Sequence, residues 1–298
     1  MANPILVFDL GGTKVAAGIM LPDHTIIHRR QLPTLAEQGA AAIFHRLVQL
    51  GNAVLSDTTD GERPVAIGVA TGGQVDAESG TVVHATELIP GWTGFALGPA
   101  LQEALGLPTF VENDANCFTL AEAVLGAGRG YRHLLVVAIG TGVGGGIMID
   151  GKLYSGWQGK AGEVGHFSLV PVDGRPCSCG RTGCLESYTA TRIIVAQSGY
   201  PSIQALATEY QAGKSILAVD EAAEWLGIGL ASLAHIVGPE VIVIGGSVGL
   251  LGERYLTFVR AGFLHHTMPS YRAIPLHLAE LAADSGLLGA GILAQRHL

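Results

Sequence analysis

The amino-acid sequence predicts an α/β protein made of two related domains that face each other. Three observations predict this fold class: strands and helices alternate along the chain, an opening strand-turn-strand unit recurs 128 positions later, and glycine-rich turns follow three of the strands. The chain has 298 residues, which is enough for two domains of ordinary size and for a large apolar core that needs no disulfide bonds.

The first half of the chain is predicted to open with three strands. These are Ile5–Leu10, Val15–Leu21 and Thr25–Leu32, and the pair Gly11 and Gly12 forms the turn between the first two. Apolar residues at helical spacing then predict a helix, and the β-branched run that follows it predicts a fourth strand. After the third strand, the predicted elements of this half are, in order, this helix at 43–55, this strand at 65–69, a helix at 95–105, a strand at 109–111 and a helix at 115–125.

The second half is predicted from an internal repeat. Leu134–Ile139 is predicted to be a strand, Gly140–Gly146 a glycine-rich turn and Ile147–Asp150 a returning strand. Six residues of this unit are identical to residues of the first hairpin at the same spacing, which indicates a duplication, although so short a match also arises by chance. The identical residues are Gly12, Thr13, Val15, Gly18, Ile19 and Met20, and Gly140, Thr141, Val143, Gly146, Ile147 and Met148. Helices at 193–197, 222–237 and 287–295 and a strand at 241–244 follow.

Composition and charge exclude several classes of protein. Hydrophobic residues make up 48% and charged residues 14% of the chain, which is typical neither of a disordered chain nor of a coiled coil. The formal net charge of -8 is opposite in sign to that expected of a nucleic-acid-binding protein. No apolar run is long enough for a signal peptide or a membrane span. We therefore expect a cytoplasmic protein with no nucleic-acid partner and no membrane partner.

The glycine-rich turns predict a nucleotide site. Gly140, Gly142 and Gly145 satisfy the spacing of the dinucleotide fingerprint, but that fingerprint opens a helix and here a strand follows, which disfavours a dehydrogenase. Glycine hairpins expose successive backbone N–H groups that can bind phosphate oxygens. A third cluster, Gly245 and Gly246, follows a predicted strand, where ligands of α/β sheets gather. Any one of these turns can be purely structural, but the three together favour a nucleotide cleft.

Three of the four cysteines predict a metal site. Cys177, Cys179 and Cys184 lie within eight positions, too close to staple a fold, and such a cluster in a reducing compartment indicates metal ligation. Three thiolates and one imidazole satisfy tetrahedral zinc and leave no open position, so we expect the zinc to be structural. From the residues alone any of the eleven histidines can supply the fourth ligand, and unligated thiols are the alternative.

These motifs together resemble a known family. Asp9–Lys14, Gly140–Val143 and the pair Gly245 and Gly246 are similar to the phosphate 1, phosphate 2 and adenosine loops of the actin, hexokinase and Hsp70 superfamily. The cysteine cluster with Glu163, Gly165, His166 and Glu186 resembles the signature of the ROK family, which joins repressors and sugar kinases. The resemblance implies two RNase H-like domains of the actin/hexokinase ATPase type with a nucleotide and sugar cleft between them. The implied domains are 1–116 joined by about 285–298, and 117–284 with the zinc loop.

The resemblance also implies roles for individual residues. Asp114 is the implied catalytic base, although Asn113 and Asp114 can also be an ordinary helix cap. His166 is the implied fourth zinc ligand, with Cys177, Cys179 and Cys184, and Asp9 organises Mg²⁺ through water. The implied sugar-binding residues are Thr71, Gly72, Asn113, Glu163, His166 and Glu186, of which the two glutamates can instead be solvated surface residues. The implied ATP-binding residues are Asp9, Gly11, Gly12, Thr13, Lys14, Thr141, Gly142, Val143, Gly245 and Gly246.

The implied reaction is ATP-dependent phosphorylation of an N-acylhexosamine at the 6-hydroxyl. Residues 243–255 and 284–295 are similar to bacterial N-acetylmannosamine kinases, so N-acetylmannosamine is the first choice of substrate. Glu163 and Trp92 are more typical of the glucokinase and N-acetylglucosamine kinase branches, which remain alternatives. A non-catalytic sugar-sensing regulator of the family would need a DNA-binding domain before the first hairpin, and the position of Asp9 leaves no room for one. The family resemblance further implies a homodimer.

Overall fold

The chain packs into two compact units. The computed structural model describes residues 3–85, 89–281 and 284–298. The first unit comprises Met1–Ala121, Ser155–Ala161 and Ala283–Leu298, and the second comprises Glu122–Tyr154 and Gly162–Ala282. The domain boundaries expected from the sequence, 1–116 with 285–298 and 117–284, stay a prediction.

Strands and helices alternate along both units. The strands are β1 (Ile5–Leu10), β2 (Lys14–Met20), β3 (Ile26–Pro33), β4 (Ala66–Thr71), β5 (Gln74–Asp76), β6 (Thr81–His84), β7 (Thr109–Asn113), β8 (Leu134–Ile139), β9 (Val143–Ile149), β10 (Lys152–Leu153), β11 (Val241–Gly245) and β12 (Leu276–Leu278). The helices are α1 (Gly39–Ser56), α2 (Leu97–Leu105), α3 (Asp114–Val124), α4 (Glu186–Thr189), α5 (Thr191–Ser198), α6 (Ile203–Gln211), α7 (Leu217–Val237), α8 (Gly252–His266) and α9 (Ser285–Gln295). Among the helices in the described ranges, none is both long and apolar enough to cross a membrane.

Each unit contains one five-stranded mixed sheet. The order is β3-β2-β1-β4-β7 in the first unit and β10-β9-β8-β11-β12 in the second. In both sheets the first three strands are antiparallel neighbours, and the last three are parallel neighbours. The two sheets therefore have equivalent topology, which agrees with the duplication indicated by the sequence and confirms an α/β protein with two related halves.

The first sheet is covered on both faces, which explains why β1 is an almost continuous apolar run. Ile43 and Leu47 of α1 pack with Leu6 and Phe8 of β1 in one buried cluster. On the other face, α9 contacts β1, β4 and β7. A Cβ on Gly68 of β4 would clash with the backbone of α9, so glycine allows the helix and the sheet to approach closely.

The glycine run of the second hairpin differs from its predicted structure. Gly144–Gly146 belong to β9 and pair with β8, whereas the sequence predicted a turn through Gly146. A Cβ on Gly145 would lie 2.6 Å from the carbonyl oxygen of Val136 and 2.6 Å from a methyl group of Val164. Gly145 therefore lacks a side chain because neighbouring backbone and side-chain atoms pack directly on this strand.

The buried carboxylate of Glu122, near the end of α3, forms hydrogen bonds with two later segments of the chain. Glu122 is fully buried, and its Oε2 accepts hydrogen bonds from the backbone N–H groups of Ala127 at 2.9 Å and Glu280 at 3.2 Å. Its Oε1 accepts a third from the N–H of Leu281 at 2.8 Å. One side chain therefore joins two segments of the second unit that are 158 residues apart in sequence.

We expect Glu122→Gln to destabilise the second unit by about 1–3 kcal/mol, because an amide NH2 group would face at least one backbone N–H donor inside the protein. Urea unfolding followed by circular dichroism measures the change. Glu221→Gln, on an exposed position of α7, is the matched control and should change the free energy of unfolding by less than about 0.5 kcal/mol. Equal stabilities of the two variants would contradict the prediction.

Candidate functional site

The predicted site residues of the first unit lie at the carboxyl ends of neighbouring parallel strands. Leu10 of β1 pairs with Thr71 of β4, and Thr71 pairs with Asn113 of β7. Asp9 precedes Leu10 and Asp114 follows Asn113 in the chain. The register thus brings these predicted residues to one edge of the sheet, which is where ligands bind in α/β proteins.

The junction of β7 and α3 presents the predicted base. The Oδ1 of Asn113 accepts hydrogen bonds from the N–H groups of Ala115 at 2.9 Å and Asn116 at 3.2 Å, so Asn113 caps the helix. Its Nδ2 donates to the carbonyl oxygen of Gly73 at 2.8 Å. Asp114 begins the helix and is exposed on the first unit, although Asn113 before it is half-buried and Ala115 after it is buried. The helix cap fixes the backbone that carries this carboxylate, and the carboxylate is accessible to a hydroxyl group.

Thr71 and Gly72 lie at the same edge of the sheet, but Thr71 is buried and Gly72 is partly exposed. Thr71 is fully buried, and its Oγ1 accepts a hydrogen bond from the indole N–H of Trp92 at 3.2 Å. The same hydroxyl donates to the carbonyl oxygen of Gly72 at 3.3 Å. The Thr71 side chain therefore braces the loop, while the backbone at Gly72 is partly exposed.

Asp9 is held largely inside the first unit. Burial raises the pKa of its carboxyl, and the positive charges of Lys14 and Arg29 oppose that effect. A Cβ on Gly286 would lie 2.5 Å from the carboxyl carbon of Asp9, so glycine in the first turn of α9 makes room for this side chain. Its position suits indirect binding of a cation better than an exposed surface role.

The turn after β1 leaves its backbone open. The N–H of Gly11 donates to the carbonyl oxygen of Lys14 at 3.0 Å and closes the hairpin. Gly12, Thr13 and Lys14 are exposed, and a Cβ on Gly12 would meet no atom within 4 Å. A small loop of this kind can bind an anion through backbone N–H groups.

The second unit repeats this arrangement at its own sheet edge. Gly140, Thr141 and Gly142 join β8 to β9, which begins at Val143, and Gly245 pairs with Ala138 at the end of the parallel pair β8 and β11. Gly246 has φ 80°, and a Cβ there would clash with the carbonyl oxygen of Ile139. The two predicted nucleotide loops of this unit therefore lie beside each other.

Thr191 joins these two loops and was not predicted from the sequence. Its N–H donates to the carbonyl oxygen of Gly140 at 2.9 Å, and its hydroxyl donates to the same oxygen at 2.8 Å. The Oγ atoms of Thr191 and Ser247 are 3.1 Å apart. The first residue of α5 thus holds the glycine loops in a fixed relation.

Glu186 links the predicted sugar site to the second hairpin. Its Oε2 accepts the backbone N–H of Val143 at 3.0 Å, and its Oε1 accepts the hydroxyl of Ser178. Arg192 donates from Nη2 to Oε1 of Glu186 at 3.2 Å and from Nε to the carbonyl oxygen of Thr141 at 2.8 Å. Arg192 and Ser178 were not predicted, because these contacts join residues that no sequence motif relates.

The charge of Glu186 is stabilised by its neighbours. Burial by itself raises the pKa of this carboxyl, but the hydrogen bonds from Ser178 and Val143 outweigh burial, together with the nearby His166 and Arg192. The net effect lowers the pKa below its ordinary value. Glu186 is accordingly an ionised acceptor at neutral pH.

The loop that contains Glu163 and His166 packs against this hairpin. The N–H of His166 donates to the carbonyl oxygen of Glu163 at 3.0 Å, and Glu163 is exposed. The N–H of Glu186 donates to the carbonyl oxygen of Gly165 at 2.9 Å, and a Cβ on Gly165 would clash with Val143. The structure therefore brings the predicted sugar residues of the second unit onto adjoining segments.

His166 and three cysteines form a cluster whose ligand atoms are close enough together to hold one metal ion. Their ligand atoms all lie within 4.8 Å of one another, and in the described ranges no other group of histidine, cysteine and acidic residues does so. The Sγ of Cys177 is 3.6 Å from Nδ1 of His166, and the sulfurs of Cys179 and Cys184 are 3.7 Å apart. Tetrahedral zinc with Zn–S near 2.3 Å and Zn–N near 2.1 Å requires ligand separations of about 3.6–3.8 Å.

The acid–base chemistry of the thiols also suits a divalent cation. Burial, followed by hydrogen bonds with the two other sulfurs, raises the pKa of Cys184 to about 12. Burial acts in the same direction on Cys179, but hydrogen bonds from Arg181 and the other thiols outweigh it and lower that pKa to about 6. A bound divalent cation stabilises all three sulfurs as thiolates. The four side chains are therefore compatible with structural zinc.

Comparison with known proteins identifies the family. The ROK family model matches residues 5–297. The chain is 32% identical to a glucokinase of Halalkalibacterium halodurans, over 97% of this chain and 94% of that protein. It is 34% identical to an N-acetylmannosamine kinase of Citrobacter koseri, over 97% of this chain and 98% of that protein.

A solved structure agrees with the sequence match. The ROK family glucokinase of Streptomyces griseus in complex with glucose and AMPPNP superposes with a TM-score of 0.85 at 29% identity, covering 99% of this chain and 100% of that one. The expected actin/hexokinase-type fold is confirmed. The chain belongs to the ROK family and is an ATP-dependent sugar kinase.

Proposed function

We propose that the protein transfers the γ-phosphoryl group of ATP to the 6-hydroxyl of an N-acylhexosamine, with N-acetylmannosamine as the first substrate and N-acetylmannosamine 6-phosphate as the product. The observation that carries the proposal is the accessible carboxylate of Asp114. It begins a capped helix at the carboxyl edge of the first sheet, the same edge at which β1 carries Asp9, with β4 between the two strands.

Asp114 orients the 6-hydroxyl and accepts its proton as the oxygen attacks the γ-phosphorus. The bond between that phosphorus and the bridging oxygen of ADP breaks, and ADP leaves with the bonding electrons. Phosphoryl transfer needs positioning and charge stabilisation more than covalent participation of the protein. A rigid helix start therefore suits this role.

The two glycine hairpins bind the nucleotide. Backbone N–H groups and the hydroxyls of Thr13 and Thr141 donate to phosphate oxygens, and the Gly245–Gly246 loop receives the adenosine. Mg²⁺ neutralises charge on the phosphates when bound. Asp9 holds its hydration shell, which is consistent with a partly buried carboxylate and with the reluctance of Mg²⁺ to lose water.

The sugar hydroxyls are bound by groups from several loops. Glu186 is the best supported, because its carboxylate is ionised and fixed by three donors. With Nδ1 of His166 directed to the cysteine cluster, its second ring nitrogen serves a hydroxyl. The full proposed set is Thr71, Gly72, Asn113, Glu163, His166 and Glu186.

The zinc assignment, the assembly and the compartment are further parts of the proposal. His166, Cys177, Cys179 and Cys184 hold one structural Zn²⁺, which the separations of their ligand atoms support. The homodimer implied by the family resemblance is tested by light scattering. A cytoplasmic location stays a prediction.

The choice of sugar is tested by ADP release with Mg-ATP and N-acetylmannosamine, N-acetylglucosamine or glucose, compared by kcat/KM. We expect N-acetylmannosamine to have the highest kcat/KM. A preference for glucose or N-acetylglucosamine would retain the kinase mechanism and overturn the proposed substrate. Absence of turnover with all three sugars would favour a catalytically silent sugar-binding protein. A coupled assay with the Asp114→Asn variant measures ADP that arises without the proposed base.

A further inference from the structure

Glu112 is a buried acidic residue that directly precedes Asn113, a proposed sugar-binding residue, and Asp114, the proposed base. It lies on β7, and its side chain is 1% exposed. Its Oε1 accepts hydrogen bonds from the backbone N–H of Asn113 at 2.8 Å and from Nδ2 of Asn116 at 3.0 Å. Its Oε2 accepts the hydroxyl of Ser155 at 2.9 Å. Burying a carboxyl group destabilises a protein unless its oxygens form hydrogen bonds, and here both oxygens do.

The first oxygen of Glu112 bonds a group on each side of Asp114, namely the backbone N–H of Asn113 and the side-chain amide of Asn116. Asn113 is the last residue of β7, whereas Asn116 lies in the first turn of α3. The Oδ1 of Asn116 is buried and has no hydrogen-bond partner in the described structure, so this amide is oriented by what its Nδ2 contacts. Glu112 therefore ties the strand end to the helix start.

The second oxygen of Glu112 fixes a distant segment. Ser155 opens the stretch Ser155–Ala161, which packs with the first unit although the chain on both sides of it belongs to the second. The backbone of Gly159 lies so close to Val75 of β5 that a Cβ would clash with its carbonyl oxygen. The stretch is thus anchored at two points, and Glu163 follows it by two residues.

We propose that Glu112 is a positioning residue for phosphoryl transfer, which holds the Asp114 backbone and the Ser155–Ala161 segment in one geometry. The inference rests on the proposed role of Asp114 as the base. The two oxygens of Glu112 have different partners. Oε1 bonds Asn113 and Asn116, which flank the proposed base, and Oε2 bonds Ser155, in the segment that leads to the sugar-binding loop.

Three variants separate these functions. Glu112→Ala removes all three hydrogen bonds, and we expect kcat to fall about 10- to 100-fold, because small displacements of a catalytic group have effects of this size. Ser155→Ala removes only the second-oxygen contact, and should raise the KM for the sugar about fivefold with a smaller change in kcat. In Glu112→Gln the amide oxygen still accepts from Asn113 and Asn116, while its NH2 group donates to Ser155 Oγ, so kcat should stay within about threefold of the unmodified protein.

The control is Glu103→Ala, the same substitution on an exposed position of α2. Thermal unfolding of every variant shows whether lost activity follows lost folding. A Glu112→Gln variant as impaired as Glu112→Ala, or a Glu112→Ala variant with the kcat of the control, would overturn the proposal.

Hydrogen exchange tests the same placement without turnover. Glu112→Ala should accelerate amide exchange both at residues 113–116 and at 155–161, and Ser155→Ala should accelerate it only at 155–161. Unchanged exchange in Glu112→Ala at both segments would reject the positioning role. If the unmodified protein phosphorylates none of the sugars but the exchange pattern is as expected, the proposed function fails and the positioning of these segments by Glu112 stands.

Discussion

Asp114→Asn is expected to lower kcat by about 10²- to 10⁴-fold, the range typical for loss of a general base. The substitution is nearly isosteric, and an amide oxygen can still accept the hydrogen bond that Oδ1 of Asp114 receives from the N–H of Ala115 at 2.9 Å. The start of α3 should therefore keep its structure. The variant loses only the ability to accept the proton of the sugar hydroxyl.

Initial rates over a range of sugar and ATP concentrations separate kcat from KM for this variant. We expect both KM values to change by less than about threefold, because Asn113, which caps the helix, is untouched. Asp60→Asn, at a side chain that is 98% exposed, is the matched control and should keep full activity. Near-normal kcat in Asp114→Asn would remove Asp114 from the role of base.

Loss of the metal is expected to have the second large effect. Metal analysis should find about one zinc per chain in the unmodified protein, and the Cys177→Ala variant should lose this zinc. The segment from His166 to Glu186 contains short turns and isolated bridges rather than long helices, so a bound metal would supply much of its order. Because Glu186 contacts both Ser178 and Val143, disorder of the segment should also reduce turnover by at least about tenfold.

Cys117→Ala is the matched control for zinc removal. Cys117 is buried with Ala70 and Ala290, away from the cluster, and its substitution should leave the zinc content unchanged. Circular dichroism and turnover are compared for the two variants and for protein treated with a chelator. A metal-free protein that is fully folded and fully active would refute the structural zinc.

Local sequence signals predicted much of the fold. The β1–β2 hairpin and its counterpart β8–β9 were predicted because apolar runs and glycine turns are adjacent in the chain. The cysteine cluster was visible for the same reason. In contrast, the extent of β9 was misjudged, because Gly145 reflects close packing on Val164, nineteen residues later, rather than a turn.

Hydrogen bonds between residues far apart in the chain were beyond sequence reasoning. Arg192 contacts Thr141, Glu122 contacts Leu281, and Ser155 contacts Glu112, over separations of 51, 159 and 43 residues. No periodicity or motif links such pairs in a single sequence. Fold class and chemical motifs can therefore be inferred locally, whereas the hydrogen bonds that orient the site depend on the complete tertiary structure.

The packing of α9 on β1 and β4 has a consequence for the order of events during synthesis. The first strand is synthesised about 280 residues before the helix that covers it, so one apolar face of the nascent sheet lacks this cover until that helix has been made. The second unit has no such dependence on Ser285–Gln295. The unit that begins first therefore receives its last helix only after the sequence of the second unit is complete, and the packing of that helix closes a long loop.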